Sequence, residues 1–142
     1  MSNNIIIYQK EINTDCQKII LEGLKHNAYE KLGIGQSDSA FSFVIENDQD
    51  EFQAGISGYH YYGCFYIDIL FVPKEHRSKG YGTELMQKAE ELARSRDCLF
   101  MAVNTMEFEA RPFYEKHGFE VEFVRSGFQK NAKMYFMRKK LQ

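Results

Sequence analysis

The stretch FYIDILFVPKEHRSKGYGTELMQKAEELARSRDCLFMAV, residues 65–103, decides the architecture. Residues 65–72 form an almost unbroken apolar run that carries one charge, Asp68. Such a run suits a central strand covered on both faces, and Pro73 ends it by removing a ladder donor. From Tyr81 onward, Leu85, Met86, Ala89, Leu92 and Ala93 recur at helical spacing, which leaves Glu84, Lys88, Glu91 and Arg94 for solvent and predicts a helix over 81–96. Residues 99–103 read as a second buried strand. Strand, glycine loop, helix and strand in that order make a β-α-β unit, whose crossover implies a parallel pair.

Working outward, residues 52–62 and 39–46 read as two further strands joined by the polar turn Asn47-Asp48-Gln49-Asp50. The β-branched Ile5-Ile6-Ile7 predicts a short first strand over 5–8. Asp15 is placed to cap a helix with Ile19, Ile20 and Leu24 on one face, and a second short helix is expected over 28–32, stopped by Gly33 and Gly35. On the other side, Pro112 pre-sets the first turn of a helix that Gly118 closes after His117. Residues 120–128 and 133–140 then pair antiparallel across a turn over 127–131. No repeat, linker or low-complexity segment interrupts the 142 residues, so a single domain is expected.

Composition narrows the function. With 44% hydrophobic, 15% aromatic and 27% charged residues, the chain is too apolar for disorder and too charged for a membrane protein. Lys+Arg (18) nearly balances Asp+Glu (20), which gives no general attraction to a phosphate backbone and argues against nucleic acid as a partner. Cys16, Cys64 and Cys98 are odd in number and widely spaced, forming neither a disulfide framework nor a metal cluster. No metal, no membrane and a cytoplasmic location are the expectations that follow.

Arg77-Ser78-Lys79-Gly80-Tyr81-Gly82-Thr83 lies between the central strand and the best helix. Two glycines at this junction let backbone amides turn toward a ligand, and the helix behind supplies unpaired N–H groups and a positive dipole end. That combination suits a pyrophosphate, with Arg77 and Lys79 adding charge at the rim. The glycines are also compatible with a plain strand-to-helix turn. No Gly-Lys-Ser/Thr follows as a P-loop requires, and the third glycine of a dinucleotide fingerprint is missing.

The run Val72-Pro73-Lys74-Glu75-His76-Arg77-Ser78-Lys79-Gly80-Tyr81-Gly82 resembles the acetyl-CoA loop of the GNAT N-acetyltransferases, with Arg77, Gly80 and Gly82 on the pattern Arg/Gln-x-x-Gly-x-Gly/Ala. Ala110-Arg111-Pro112-Phe113-Tyr114-Glu115-Lys116-His117-Gly118-Phe119 is similar to that family's Ala-x-x-Phe-Tyr-Glu-Lys-x-Gly-Phe segment. The resemblance implies the GNAT acyl-CoA N-acyltransferase fold, an α/β (α+β) arrangement with a mixed, twisted sheet of six to seven strands flanked by about four helices. It implies that the strand ending at Val72 splays from the one ending near Asn104, with acetyl-CoA, as co-substrate, in the cleft between them. Leu70, Phe71, Val72, Arg77, Ser78, Lys79, Gly80, Tyr81, Gly82, Thr83, Asn104 and Phe113 are the implied contacts. Where relatives often carry an asparagine, three residues before the alanine, this chain has Glu107.

Acetyl transfer to an amine needs a neutral nitrogen, a donor for the thioester oxygen and a proton for the leaving thiolate. The resemblance puts Tyr114 beside the sulfur as proton donor, the favoured reading over a core position beside Phe113 and Phe119. Asp68, the only charge in its strand, is the candidate base, expected to be partly buried beside the cleft, and it equally suits a structural hydrogen bond. His60 and Glu107 are weaker candidates, Cys64 and Cys98 are expected to be small core residues, and His76 a solvent-facing loop residue. The acceptor is a primary amine of a small molecule or peptide, and a homodimer is left open. A catalytically silent acyl-CoA-binding module and a nucleotide-binding domain using the same loop are the alternatives.

Overall fold

The computed structural model describes residues 4–35 and 39–142, and the chain divides into two compact units, residues 1–36 and 37–142. The first unit holds helix α1, Thr14–Leu32. Its cap is Asn13 rather than Asp15: the Asn13 side-chain oxygen accepts from the amides of Asp15 at 2.8 Å and Cys16 at 3.3 Å. Asp15 sits instead in the first turn, where its charge complements the helix dipole. One helix runs where two were expected, because no breaker stands between Lys25 and Leu32, and Gly33 ends it in the left-handed conformation at φ 67°. Residues 5–8 do not form the expected strand. β-branched residues favour a pleated surface only where a neighbouring ladder exists, and among the described residues no strand pairs with them.

The second unit is a six-stranded sheet in the order β1-β2-β3-β4-β6-β5, made of β1 Ser39–Glu46, β2 Phe52–Tyr61, β3 Cys64–Phe71, β4 Phe100–Met106, β5 Glu120–Arg125 and β6 Met134–Lys140. Helix α2, Tyr81–Ser95, crosses from β3 to β4, which pair parallel as the β-α-β reading requires. All other neighbours are antiparallel. Helix α3, Arg111–Lys116, links β4 to β5. Short 3-10 turns lie at Lys74–His76, between β3 and α2, and at Gln129–Asn131, between β5 and β6.

Apolar residues of α2 at helical spacing, Leu85, Met86, Ala89 and Ala93, are all buried. They join Ile56, Phe65, Ile67, Met101, Val103 and Met137 from alternate strand positions, and Phe65 stacks on Phe41 at 4.3 Å between ring centroids. Losing a buried Leu85 or Met86 side chain to alanine would cost about 2–5 kcal/mol. Cys64 and Cys98 belong to this buried set, and burial pushes both thiols up, away from nucleophilic thiolate.

Strand β3 carries an irregularity opposite β2. Ser57 pairs with Ile69 while Gly58 pairs with Ile67, so Asp68 is an unpaired extra residue on β3. A bulge of this kind bends its strand. Gly58 makes room for it, since a Cβ there would stand 2.0 Å from the carbonyl oxygen of Tyr66. The bulge coincides with a fork. Pairing of β3 with β4 ends at Ile67↔Val103, yet β3 stays on β2 through Phe71↔Gly55 and β4 stays on β6 through Met106↔Met134.

Candidate active site at the strand fork

The open ends of β3 and β4 face the N-terminus of α2. Gly80 caps that helix at φ 83° with no side-chain cap bond, so the first-turn amides are left to whatever ligand approaches. Arg77, expected to add charge at the rim, is engaged within the chain: its Nε donates to the Val72 carbonyl at 3.1 Å and ties the loop back to the end of β3. Lys79 and Ser78 are exposed, with Ser78 at φ 66°. Val72, Ser78, Gly80, Tyr81, Thr83 and Phe113 border a hollow of about 250 Å³. His76 borders it too and is half-buried rather than solvent-facing, and among the described residues its Nδ1 has no hydrogen-bond partner.

Gly82 stands where α2 meets α3. A Cβ on it would lie 3.2 Å from Cε2 and 3.3 Å from Cζ of Phe113, and 3.9 Å from Cγ2 of Val72. The helix therefore comes closer to these side chains than a larger residue permits, and the cradle fits a phosphate-bearing co-substrate that needs bare backbone. A cavity of about 460 Å³ opens beside it. Leu70, Phe71 and Val72 of β3 form one wall, Arg77 and Gly82 the loop side, and Phe113 and Tyr114 of α3 the other.

Tyr114 is both core residue and cleft residue. It is 5% exposed, its ring meets Phe113 at 5.4 Å and Phe119 at 5.6 Å, and it lines the cavity. Burial, with a smaller contribution from the charge of Glu109, pushes its phenol up to about 12. Such a phenol keeps its proton through the physiological range.

Other candidates fall elsewhere. Asp68 is exposed on the bulge and borders a separate depression with Ser57, Gly58 and Tyr59, so the expected partial burial beside the cleft is corrected. As the extra residue of a bulge it is displaced from the regular ladder, so being the only charge in an apolar strand did not place it in the cleft. Asn104 does not line the cavity, and its amide donates to the Tyr66 hydroxyl at 3.3 Å. His60 is held between Ser39 Oγ at 3.4 Å and Arg96 Nη1 at 3.0 Å, as a satisfied polar residue. Glu107 accepts from the amide of Lys133 at 3.0 Å and serves the turn before β6. Sequence reasoning missed Phe108 and Glu109, which line the cavity from the β4–α3 connection. Their place directly ahead of the Ala110 segment is the signal that could have found them.

Comparison with known proteins follows the same outline. The Acetyltransferase (GNAT) family model matches residues 9–119. The chain is 36% identical over 108 residues to Acetyltransferase Atu2258 of Agrobacterium fabrum, covering 75% of this chain and 77% of that protein. It is 29% identical over 75 residues to the blasticidin-S acetyltransferase of Streptomyces morookaense, covering 52% of this chain and 55% of that one. In fold it resembles a crystal structure of an acetyltransferase from Bacillus cereus, with TM-score 0.80, 24% identity and coverage of 95% of this chain and 98% of that one. Glycine cradle, strand fork and family match agree, and the chain belongs to the GNAT acetyltransferase family.

Proposed function

We propose that this acetyl-CoA-dependent N-acetyltransferase acetylates a primary amine of a small molecule or peptide, with Tyr114 supplying the proton to the departing thiolate. The observation that carries the reading is a cavity bounded by the Gly82 cradle at one side and a buried, protonated Tyr114 at the other. Bound acetyl-CoA supplies an activated acetyl group as a thioester. The α2 amides and the Arg77 loop would hold its pyrophosphate, and the open backbone of residues 70–72 would pair with its extended arm as an added strand does. An aminoglycoside 6'-N-acetyltransferase complexed with coenzyme A has the same fold at TM-score 0.64, with 18% identity over 72% of this chain and 73% of that one.

No metal takes part in this reading, and among the described residues no group of three or more His, Cys, Asp or Glu is gathered as a metal site. No described helix is long and apolar enough to cross a membrane, and the near-balance of charge supports an enzyme without a nucleic-acid partner; a cytoplasmic single domain, as monomer or homodimer, completes the proposal. The test is release of free thiol from acetyl-CoA across a panel of amino acids, polyamines, aminoglycosides and peptides. At least one amine should give acetyl-CoA-dependent release that collapses in Tyr114→Phe. Undiminished release in that variant would remove the tyrosine from the reading.

A further inference from the structure

We propose that Glu109 is the carboxylate that takes the proton from the acceptor nitrogen and returns one to Tyr114, so that the two residues act as a relay; this rests on the acetyl-transfer reading above. Glu109 lines the same cavity as Tyr114, Leu70 and Gly82, whereas Asp68 borders a different depression. Its backbone is fixed from both sides. The Glu109 amide donates to the Met106 carbonyl at 2.9 Å, and the next amide, of Ala110, donates to Thr105 Oγ1 at 3.3 Å.

Neighbouring carboxylates are engaged in structure: Glu107 accepts from the Lys133 amide, and Glu115 is ion-paired with Arg111. Among the described residues no hydrogen bond or ion pair holds the Glu109 carboxylate, and it is exposed to whatever enters the cavity. It is also close enough to act electrostatically on Tyr114.

Chemistry gives the pair a reason. A phenol held near 12 is a weaker acid than a thiol, whose ordinary pKa is about 8.5, so donation to sulfur leaves a phenolate that must be refilled. As the acceptor nitrogen bonds to the carbonyl carbon it becomes cationic and far more acidic than a free ammonium, which places a carboxylate within range as base. The C–N bond forms and the C–S bond breaks. The nitrogen's proton passes to Glu109, the phenol's proton to sulfur, and the Glu109 proton refills the phenol. Amine and thioester become amide and thiol, with no proton left over.

The experiment uses the full chain, acetyl-CoA, and the amine that the thiol-release panel identifies. Glu109→Gln should lower kcat by about 10²-fold, with coenzyme A affinity, read by titration calorimetry, within twofold of wild type. Glu109→Ala should regain part of its rate when sodium formate is added, a recovery that a merely structural role would not produce. A second reading needs no acceptor. With ¹³C-labelled tyrosine, and Tyr114 assigned by its loss in Tyr114→Phe, the Tyr114 titration should move to lower pH in Glu109→Gln. Turnover within threefold of wild type, or an unmoved Tyr114 titration, overturns the relay. Wild-type inactivity toward every amine would count against acetyl transfer, and the titration would still decide whether the two residues are coupled.

Discussion

Replacing Gly82 by valine tests the cradle most directly. Alanine alone would bring a Cβ to 3.2 Å from the Phe113 ring, closer than carbon atoms normally approach, so the ring must move by a few tenths of an ångström. Helix propensity partly offsets that, since glycine to alanine inside a helix gains about 1 kcal/mol. Valine adds two methyl groups to a contact already tight, and overpacking of this kind costs about 1–3 kcal/mol. Phe113 lines the cavity, so relief that turns the ring outward fills the space a co-substrate would use. Coenzyme A affinity should fall at least about tenfold, or roughly 1.4 kcal/mol, by titration calorimetry, with thermal melting as the control for folding. Gly80→Ala is the contrast. Nothing lies within 4 Å of its Cβ position, but its φ of 83° would strain alanine, so about 1–2 kcal/mol of stability should be lost with a smaller change in affinity. A folded Gly82→Val protein that binds coenzyme A as wild type does would refute the assignment of this loop.

Further expectations concern Tyr114 and the bulge. Tyr114→Phe should lower kcat by about 10²- to 10⁴-fold while coenzyme A affinity changes far less, because only a hydroxyl is lost from a packed ring; turnover within threefold of wild type would point to another proton source. The raised phenol pKa also predicts a pH effect on stability. A group titrating near 10 when unfolded and at about 12 when folded contributes stability that is present below pH ~10 and lost as pH climbs toward 12, on the order of 3 kcal/mol. Urea unfolding of wild type and Tyr114→Phe at pH 9 and 11.5 should show the difference between them change, and a constant difference would contradict the burial argument. Gly58→Ala should destabilise by about 3 kcal/mol, since its Cβ would strike the Tyr66 carbonyl rather than a movable side chain; a melting temperature equal to wild type would show that the bulge can form without glycine.

Helix α2 was legible in the sequence because its determinants are local. Leu85, Met86, Ala89 and Ala93 repeat at the helical period, and every one is buried. The glycine loop was legible for a related reason, as spacing within seven residues expresses what the backbone must do there. Strand β1 likewise matched its expected bounds, because alternation and the Asn47 turn lie within a dozen residues. Local signals failed where a partner was needed, as at residues 5–8, which have β-branched side chains but no ladder among the described residues.

The placement of the carboxylates was decided only in three dimensions. Asp68 was expected beside the cleft because it is the only charge in an apolar run, but the bulge makes it the unpaired residue of β3, and a shift of one reverses the face that each following side chain takes. That bulge depends on β2, where Gly58 leaves room for the Tyr66 carbonyl, and on the end of pairing with β4 at Ile67↔Val103, in a strand more than thirty residues further on. Glu109 reached the cleft by the same nonlocal route. Spacing could place Tyr114 on a helix and Gly82 at a turn, but only the packing of α3 against the start of α2 put Phe113 on Gly82, and only that packing made one cavity of Gly82, Glu109 and Tyr114.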